Sequence, residues 1–530
     1  MDLHGKNIIN GDAVATSAKT FTAVNPATAT ALTPAFHEAS LGDADRAAKA
    51  ANEAYATYRR TTPEARAAFL EKIAAEIEAL GDELIQRANA ETGLPEARLQ
   101  GERGRTTSQL RAFAALVKEG SWVDARIDRA LPERKPLPRP DVRRMLMPIG
   151  PVLVYGASNF PLAFSAAGGD TASALAGGNT VVLKAHPAHP GTSELVMHAV
   201  AKAIVACGLP KGTVNLIQAV DTTVSTALVQ HPLIQAVGFT GSLGAGRAIY
   251  NVAAARPVPI PVYSEMGSIN PVFILPGALA ERGKAIAEGF VASLTMGVGQ
   301  FCTNPGVVVA LKSPQLDQFL ADAGALVTAA APGTMLYDGI RTRYESGVAA
   351  LAKRTGVTQV AAASAVCDPK RTQAGARLFR VSAAAFLADA HLREEVFGPA
   401  SVLVECGSLA EMEQVAGAIP GQLTGTLHTA ASDLSAAAPI ADALAQRVGR
   451  ILWNGFPTGV EVCPAMVHGG PYPATTDARS TSVGTAAIER FVRPVCFQNA
   501  PQELLPVELQ NANPRGVWRT LDGEFSKNAV

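Results

Sequence analysis

Residues 151–190 read PVLVYGASNFPLAFSAAGGDTASALAGGNTVVLKAHPAHP, with short apolar runs on either side of an alanine-rich segment of helix length. Runs of this kind recur with similar segments between them, at Val152–Tyr155, Thr180–Leu183, Thr213–Ile217 and Ala236–Phe239. This alternation is typical of a parallel sheet covered by helices on both faces. Because ligands of such sheets bind at the carboxyl ends of the strands, we predict a site in the turns Gly156–Pro161, Lys184–His189 and Thr240–Gly246.

The sequence on either side of this stretch fits the same class. Residues 44 to about 118 are predicted to be helical, because Leu70, Ile73 and Ile77 recur at three- and four-residue steps and form one apolar stripe. A second region of alternating apolar runs and helix-length segments extends from Asn270 to about residue 470. We therefore predict an α/β protein of more than one domain.

Composition and charge exclude several classes of protein. The 530 residues include 46 basic and 46 acidic side chains, so no net charge attracts the molecule to nucleic acid or to an anionic membrane. With 48% hydrophobic residues, the chain is not intrinsically disordered. No apolar stretch reaches the ~18–20 residues of a membrane span, and the N-terminus has no signal-peptide pattern. We expect a cytoplasmic protein with neither a nucleic-acid nor a membrane partner.

The cysteines and histidines do not indicate a metal site. The six cysteines are scattered and no pair has CxxC spacing, which is typical of a reduced chain without a zinc ribbon. The histidines form no HxxxH pair, and the one HxxE, from His391 to Glu394, lacks an evident third ligand. We expect no metal.

Three polar residues lie where chemistry is expected. Cys302, between Gly299 and the Asn304-Pro305-Gly306 turn, has backbone N–H groups nearby that favour a reactive thiolate; the alternative is an inert core cysteine. Glu265 lies between two apolar runs, which predicts a raised pKa suited to a general base; the alternative is a carboxylate bonded to a turn. Asn159 follows a strand and offers a neutral donor for an oxyanion, or simply makes the turn.

These three residues occur together with other motifs. Lys184, Phe239-Thr240-Gly241-Ser242 and Glu394-Glu395-Val396-Phe397-Gly398-Pro399 appear with them in an order and spacing that resemble the aldehyde dehydrogenase superfamily, from about residue 20 to about 500. The resemblance implies a Rossmann-variant cofactor domain (residues 1–123 and 148–265), an α/β catalytic domain (266–475) and a small oligomerisation β-ribbon (124–147 and 485–497). Residues 498–530 form a C-terminal extension, and a homodimer or homotetramer is implied.

The resemblance also implies a role for each residue. Cys302 is the nucleophile, Glu265 the base, and Asn159 together with the Cys302 backbone N–H forms the oxyanion hole. The residues expected to bind the dinucleotide are Lys184 at the adenosine ribose, Gly241 and Ser242 at the pyrophosphate, Glu395 at the nicotinamide ribose and Phe397 beside the nicotinamide. The turn at Gly241–Gly246 is not the GxGxxG of ordinary dinucleotide folds, a mismatch that fits this family.

The turn after Lys184 bears on the choice of cofactor. NAD-preferring members of the family commonly place a glutamate three residues after the lysine, where this chain has Pro187. A carboxylate there would repel a 2′-phosphate, and its absence permits one. We expect His186 and Lys211 to supply positive charge, so NADP is favoured and NAD is the alternative.

The substrate is expected to be a small aldehyde. Ser158, Lys184-Ala185-His186-Pro187 and the Cys302 segment resemble the subgroup that oxidises 2,5-dioxovalerate (α-ketoglutaric semialdehyde). Arg105, on a helix that borders the substrate entrance in this family, would then bind the carboxylate, and Phe160 would line the same side. One alternative is an NADP-dependent dehydrogenase of medium- or long-chain aliphatic aldehydes. A CoA-acylating enzyme would not need Glu265, and an inactive oligomeric binding protein would need none of the three polar residues.

Overall fold

The computed structural model describes residues 3–530 and places the chain around two large sheets and one smaller sheet. Helices cover both faces of the large sheets. The α-helices are α1 (Leu41–Tyr58), α2 (Pro63–Ala79), α3 (Gly81–Thr92), α4 (Glu96–Glu119), α5 (Gly169–Ala176), α6 (Pro190–Ala206), α7 (Thr222–Gln230), α8 (Leu243–Ala254), α9 (Pro276–Thr295), α10 (Pro314–Ala329), α11 (Asp338–Ala352), α12 (Ala383–Ala388), α13 (Leu409–Ala418) and α14 (Leu434–Ala445). None of the helices described in this range is long and apolar enough to span a bilayer.

The first large sheet contains the strands that the opening stretch predicts. In spatial order its strands are β13 (Val262–Glu265), β12 (Ala236–Thr240), β9 (Val152–Tyr155), β10 (Val181–Lys184), β11 (Val214–Ile217), β1 (Asn7–Ile9) and β2 (Asp12–Val14). The five strands from β13 to β11 are parallel, with Lys184 opposite both Tyr155 and Ile217. Their carboxyl ends therefore meet along one edge, as predicted.

The second large sheet follows the same plan. Its strands are β17 (Thr358–Ala362), β19 (Arg377–Ser382), β20 (Ala400–Cys406), β15 (Val307–Leu311), β14 (Val272–Ile274), β21 (Gln422–His428) and β22 (Val448–Trp453). All neighbours are parallel except the edge pair β17 and β19. Short two-stranded pairings join β3 (Thr20–Phe21) to β6 (Phe36–His37), β4 (Val24–Asn25) to β5 (Thr30–Ala31), and β16 (Gly333–Thr334) to β18 (Gln373–Ala374).

The smaller sheet unites segments that are far apart in the sequence. Its order is β23 (Val492–Gln498), β8 (Val142–Pro148), β7 (Arg126–Asp128), β24 (Arg519–Leu521) and β25 (Glu524–Ser526). Residues 498–530 thus contribute two strands, and Arg519, only 1% exposed, donates to the carbonyls of Gln510 and Asn528 at 2.6 and 2.7 Å. The Arg129 N–H also donates to Asp522 Oδ1 at 2.9 Å, across 393 positions of the chain.

Burial explains why these segments fold as they do. Strands β9, β10 and β11 are buried at every position, since helices pack on both faces, so they read as continuous apolar runs. Each buried Val, Leu or Ile side chain contributes about 1.5–3 kcal/mol. The predicted helical region forms α1 to α4, with Thr62 capping α2 and the junction of α2 and α3 at Gly81.

Candidate functional site

A cavity of about 270 Å³ lies between the carboxyl edge of the first sheet and the segments around the second sheet. The residues with a predicted catalytic or cofactor role that line it are Asn159, Gly241, Ser242, Glu265, Cys302, Glu395 and Phe397. Seven residues spread over more than two hundred positions therefore meet at one place. The parallel arrangement explains this convergence, because each of the first four follows or ends a strand of the same sheet.

The segment that carries Cys302 is held by backbone contacts. Gly299 has φ +64°, and a Cβ there would lie 2.3 Å from the carbonyl carbon of Gly398, so a side chain does not fit. The Asn270 side-chain amide donates to the carbonyls of Cys302 and Asn304 at 2.8 and 2.9 Å. The sulfur is therefore presented to the cavity by a fixed loop.

A histidine that the sequence analysis missed connects the two predicted catalytic groups. His468 Nε2 lies 3.3 Å from Cys302 Sγ and 3.0 Å from Glu265 Oε1, and its side chain is 1% exposed. The Ser482 hydroxyl donates to the other oxygen of Glu265. His468 stands in Met466-Val467-His468-Gly469-Gly470, where no spacing to Cys302 or Glu265 signals a role.

The expected rise in the pKa of Glu265 is wrong. Burial alone raises the pKa of this carboxyl, but the charge and hydrogen bond of His468, together with Ser482, outweigh it. The pKa of Glu265 is therefore lowered from its usual value, and the group is a carboxylate at neutral pH. As an ionised group it can accept a proton without first losing one.

The expected thiolate at Cys302 is likewise not what the structure holds. Burial, followed by the neighbouring carboxylates of Glu265 and Glu395, raises the pKa of Cys302 well above its usual value, and Arg105 opposes this only weakly. The raised pKa keeps the sulfur protonated, so that it is a thiol and not an anion. Reactivity at this site requires transfer of the thiol proton to an adjacent group.

Asn159 lies against the cysteine segment. Its Nδ2 donates to the Gln300 carbonyl at 3.1 Å, which leaves a second N–H on the same atom. Its own carbonyl accepts from Arg98 Nη2 at 2.8 Å. The Arg98 guanidinium lies over the rings of Phe160 and Phe301, at 5.2 and 4.7 Å from their centres, and so fixes the turn that carries Asn159.

Three of the residues expected around the dinucleotide, Lys184, Ser242 and Glu395, lie at the site edge of the first sheet or line the cavity. Lys184 ends β10 at the site edge, and burial lowers its pKa to about 8. Ser242 caps α8, accepting from the Ala245 N–H at 3.4 Å, so the first turn of this helix opens towards the cavity. Burial raises the pKa of Glu395 to about 7, which suits a hydrogen-bonding partner for a hydroxyl.

The expected positive charge from His186 and Lys211 is not found. Burial, with His189 and Lys184 nearby, lowers the pKa of His186 well below its usual value, so the ring is neutral. Lys211 precedes β11 and packs on Gly11 in the turn between β1 and β2, at the amino end of the sheet. It lies at the opposite edge from Lys184 and takes no part in the cavity.

Arg105 reaches the region next to the cavity, whereas its neighbour Arg103 does not. Arg105 Nη1 donates to the Val460 carbonyl at 2.8 Å, and the guanidinium lies 5.7 Å from the Phe164 ring centre. Phe160 contacts both Phe164 and Phe301, at 5.3 and 5.4 Å between ring centres. Arg103 instead donates to the Gly81 carbonyl between α2 and α3.

Comparisons with known proteins agree on one family. The model described as the aldehyde dehydrogenase family matches residues 13–491. Alpha-ketoglutaric semialdehyde dehydrogenase 2 from Azospirillum brasilense is 52% identical over 525 residues, covering 99% of this chain and 100% of that protein. Alpha-ketoglutaric semialdehyde dehydrogenase from Acinetobacter baylyi is 48% identical over 526 residues, 99% of each chain.

A solved structure supports the fold. Betaine aldehyde dehydrogenase from Staphylococcus aureus, in complex with NAD+, superimposes with a TM-score of 0.80. The alignment covers 94% of this chain and 96% of that chain at 22% identity, which shows the fold alone.

Proposed function

Because the chain belongs to the aldehyde dehydrogenase family, we propose that it oxidises 2,5-dioxopentanoate to 2-oxoglutarate with a nicotinamide dinucleotide as hydride acceptor. Two relatives at 52% and 48% identity over nearly the whole chain carry the name α-ketoglutaric semialdehyde dehydrogenase, which supports this substrate. The observation that carries the catalytic part is the contact series from Cys302 through His468 to Glu265, in which Cys302 and Glu265 line one cavity.

The first step uses the cysteine and the oxyanion donors. The Cys302 thiol gives its proton to the adjoining pair of Glu265 and His468, and the sulfur adds to the aldehyde carbon. The oxygen of the resulting thiohemiacetal accepts from the second N–H of Asn159 and from the Cys302 backbone. Since these donors are neutral, they stabilise the oxyanion without changing their own charge.

The second step releases the product. When bound, the dinucleotide supplies the acceptor for the hydride that leaves the thiohemiacetal carbon. The acyl group then remains on Cys302 as a thioester, and the pair of Glu265 and His468 releases the thiol proton to solvent. Glu265, ionised again, removes a proton from water, whose oxygen attacks the thioester carbon. The carboxylic acid departs and the sulfur regains a proton. This role for Glu265 favours hydrolysis over transfer to CoA.

The residues at the cavity fit a dinucleotide. Ser242 and the first N–H groups of α8 suit the pyrophosphate, Glu395 in the cavity lining suits one ribose, and Lys184, which ends β10 at the same edge of the sheet, suits the other. We retain NADP as the preferred cofactor on the absence of an acid at Pro187, and the cation that remains at this turn is Lys184. Initial rates with NADP and with NAD at matched aldehyde concentration test this choice.

The substrate is tested with a panel of aldehydes. We expect the highest kcat/KM for 2,5-dioxopentanoate, a lower value for 5-oxopentanoate, and much lower values for pentanal and decanal. Activity confined to the long-chain aldehydes would establish the aliphatic alternative instead. Alkylation distinguishes either dehydrogenase from an inactive binding protein. One cysteine that is labelled rapidly and is protected by aldehyde plus dinucleotide supports an enzyme, whereas six equally slow cysteines contradict it.

The domain division predicted from the resemblance is proposed with the function. We assign residues 1–123 and 148–265 to the cofactor domain, which contains the strands of the first large sheet, and residues 266–475 to the catalytic domain, which contains those of the second. The smaller sheet, with the strands at 142–148 and 492–498, is proposed as the oligomerisation ribbon. Light scattering after size-exclusion chromatography decides between a homodimer and a homotetramer.

A further inference from the structure

Two arginines near Cys302 each have a buried N–H without a partner. Arg105 extends from α4 and Arg450 from β22, and in the part of the chain that the structure describes the Nε atoms of both are buried and unpaired. A donor that is buried without a partner has lost its hydrogen bond to water and gained none in return. A ligand atom that accepts from both groups would remove this cost.

Both guanidinium groups hold the same loop. Arg450 Nη2 donates to the Pro457 carbonyl at 2.9 Å and Nη1 to the Gly459 carbonyl at 3.3 Å. Arg105 Nη1 donates to the next carbonyl, that of Val460, at 2.8 Å. The loop 457–460 therefore lies between two arginines from different parts of the chain, and its carbonyls fix where both side chains sit.

The two arginines also lie close enough to the reacting atom to interact with it. Each guanidinium interacts electrostatically with the Cys302 thiol, and Arg105 does so with Glu265 as well. Three carboxylates also interact electrostatically with Arg105, in the order Glu102, Glu265 and Glu461. Glu102 accepts from the backbone N–H groups of Leu162 and Ala163, and the exposed Glu461 accepts from the Val462 N–H at 3.0 Å. In the described part of the chain, none of these groups accepts from the Nε of either arginine.

We propose that Arg105 and Arg450 together form the subsite that binds the carboxylate of the substrate while its aldehyde carbon reaches Cys302. The inference rests on the proposed function and deepens it, because it defines the substrate class as a short aldehyde with a carboxylate at the far end. A carboxylate has enough acceptor positions for both guanidinium groups. A plain aliphatic chain would leave both N–H groups unpaired, so the subsite selects against it.

Matched substrates test the subsite. Pentanal and 5-oxopentanoate have the same carbon chain and differ in the carboxylate. In Arg450→Met and in Arg105→Met, we expect the KM for 5-oxopentanoate to rise about 10- to 100-fold, while the KM for pentanal stays near the wild-type value. Arg103→Met is the control on the same helix and should change neither, since Arg103 donates to the Gly81 carbonyl.

Two further measurements separate recognition from support of the loop. Arg450→Lys keeps the charge and should lose less affinity for 5-oxopentanoate than Arg450→Met. In the double variant, the rise in KM for 5-oxopentanoate should be smaller than the product of the two single-variant rises, because both residues act on one carboxylate. An equal loss for pentanal and 5-oxopentanoate in the single variants would overturn the subsite and leave only a loop contact.

The outcome for the subsite is distinct from that for the proposed function. Wild-type activity on 2,5-dioxopentanoate, combined with variants that do not discriminate, rejects the subsite and keeps the function. A wild-type enzyme that prefers pentanal to both acids rejects the proposed substrate and the subsite together.

Discussion

His468 is the residue whose replacement tests the proposed chemistry most directly. Changing His468 to asparagine removes the ring that lies 3.3 Å from Cys302 Sγ and 3.0 Å from Glu265 Oε1. A hydrogen bond to a charged group is worth about 1.5–3 kcal/mol. We expect one such bond to be lost at the stage where the thiol proton leaves. At about 1.4 kcal/mol per factor of ten, this loss slows the reaction of Cys302 by about 10- to 100-fold.

Changing His468 to asparagine should also shift the acidic limb of the kcat–pH profile. His468 is the main group that lowers the pKa of Glu265 against the effect of burial. Without it the pKa of Glu265 rises, so a smaller fraction is ionised at low pH and the acidic limb of the kcat profile moves to higher pH. The assays are the rate of iodoacetamide alkylation of Cys302 and the pH profile of steady-state turnover.

Ser482→Ala is the matched control for this prediction. The Ser482 hydroxyl contacts Glu265, whereas the contact to Cys302 comes from His468. We expect Ser482→Ala to shift the acidic limb in the same direction and to leave the alkylation rate close to wild type. Wild-type alkylation and an unmoved acidic limb in His468→Asn would refute the role assigned to the histidine.

Three further perturbations follow from the structure. Gly299→Ala should lower the unfolding free energy by more than about 2 kcal/mol in thermal melts, because Gly299 has a positive φ and a Cβ there would lie 2.3 Å from Gly398. Gly101→Ala, in open space on α4, is the control and should not lower the unfolding free energy. Lys184→Met should raise Tm at pH 7 and raise the dinucleotide KM. Burial lowers the pKa of Lys184 from 10.5 to about 8, so the wild-type unfolding free energy should rise as the pH increases from about 8 to 10.5. An unfolding free energy that stays constant over this pH range contradicts the prediction. Arg519→Met should cost about 1–3 kcal/mol and speed proteolysis of residues 498–530, with the exposed Arg134→Met as control.

The strands and the placement of the site could be predicted because their signals are local. A strand buried on both faces reads as an apolar run, and its carboxyl end is known from the direction of the chain. Cys302, Glu265 and Asn159 therefore line one cavity, as their motifs led us to expect. Lys211 could have been excluded by the same rule, because it precedes its strand.

The electrostatics of the site could not be predicted, since they depend on partners distant in the sequence. His468 is 166 positions from Cys302, and it is the main group that lowers the pKa of Glu265 against the effect of burial. Burial, with His189 and Lys184 nearby, lowers the pKa of His186, and one ring beside it belongs to Tyr337, far away in the sequence, at 5.8 Å between ring centres. Arg450 was missed for a similar reason: its link to Arg105 runs through a loop that neither segment specifies.

The pairing of β7 with β24 has a consequence for biosynthesis. The two strands at one edge of the smaller sheet, β24 and β25, come from residues 519–526, and β7 lies nearly four hundred positions earlier. During translation, the segment at 126–128 emerges long before its neighbour exists, and the sheet is complete only when residues 519–526 have left the ribosome. Chains cut short before that point expose the side of β7 that β24 otherwise occupies. Full-length synthesis therefore determines which copies present a finished sheet.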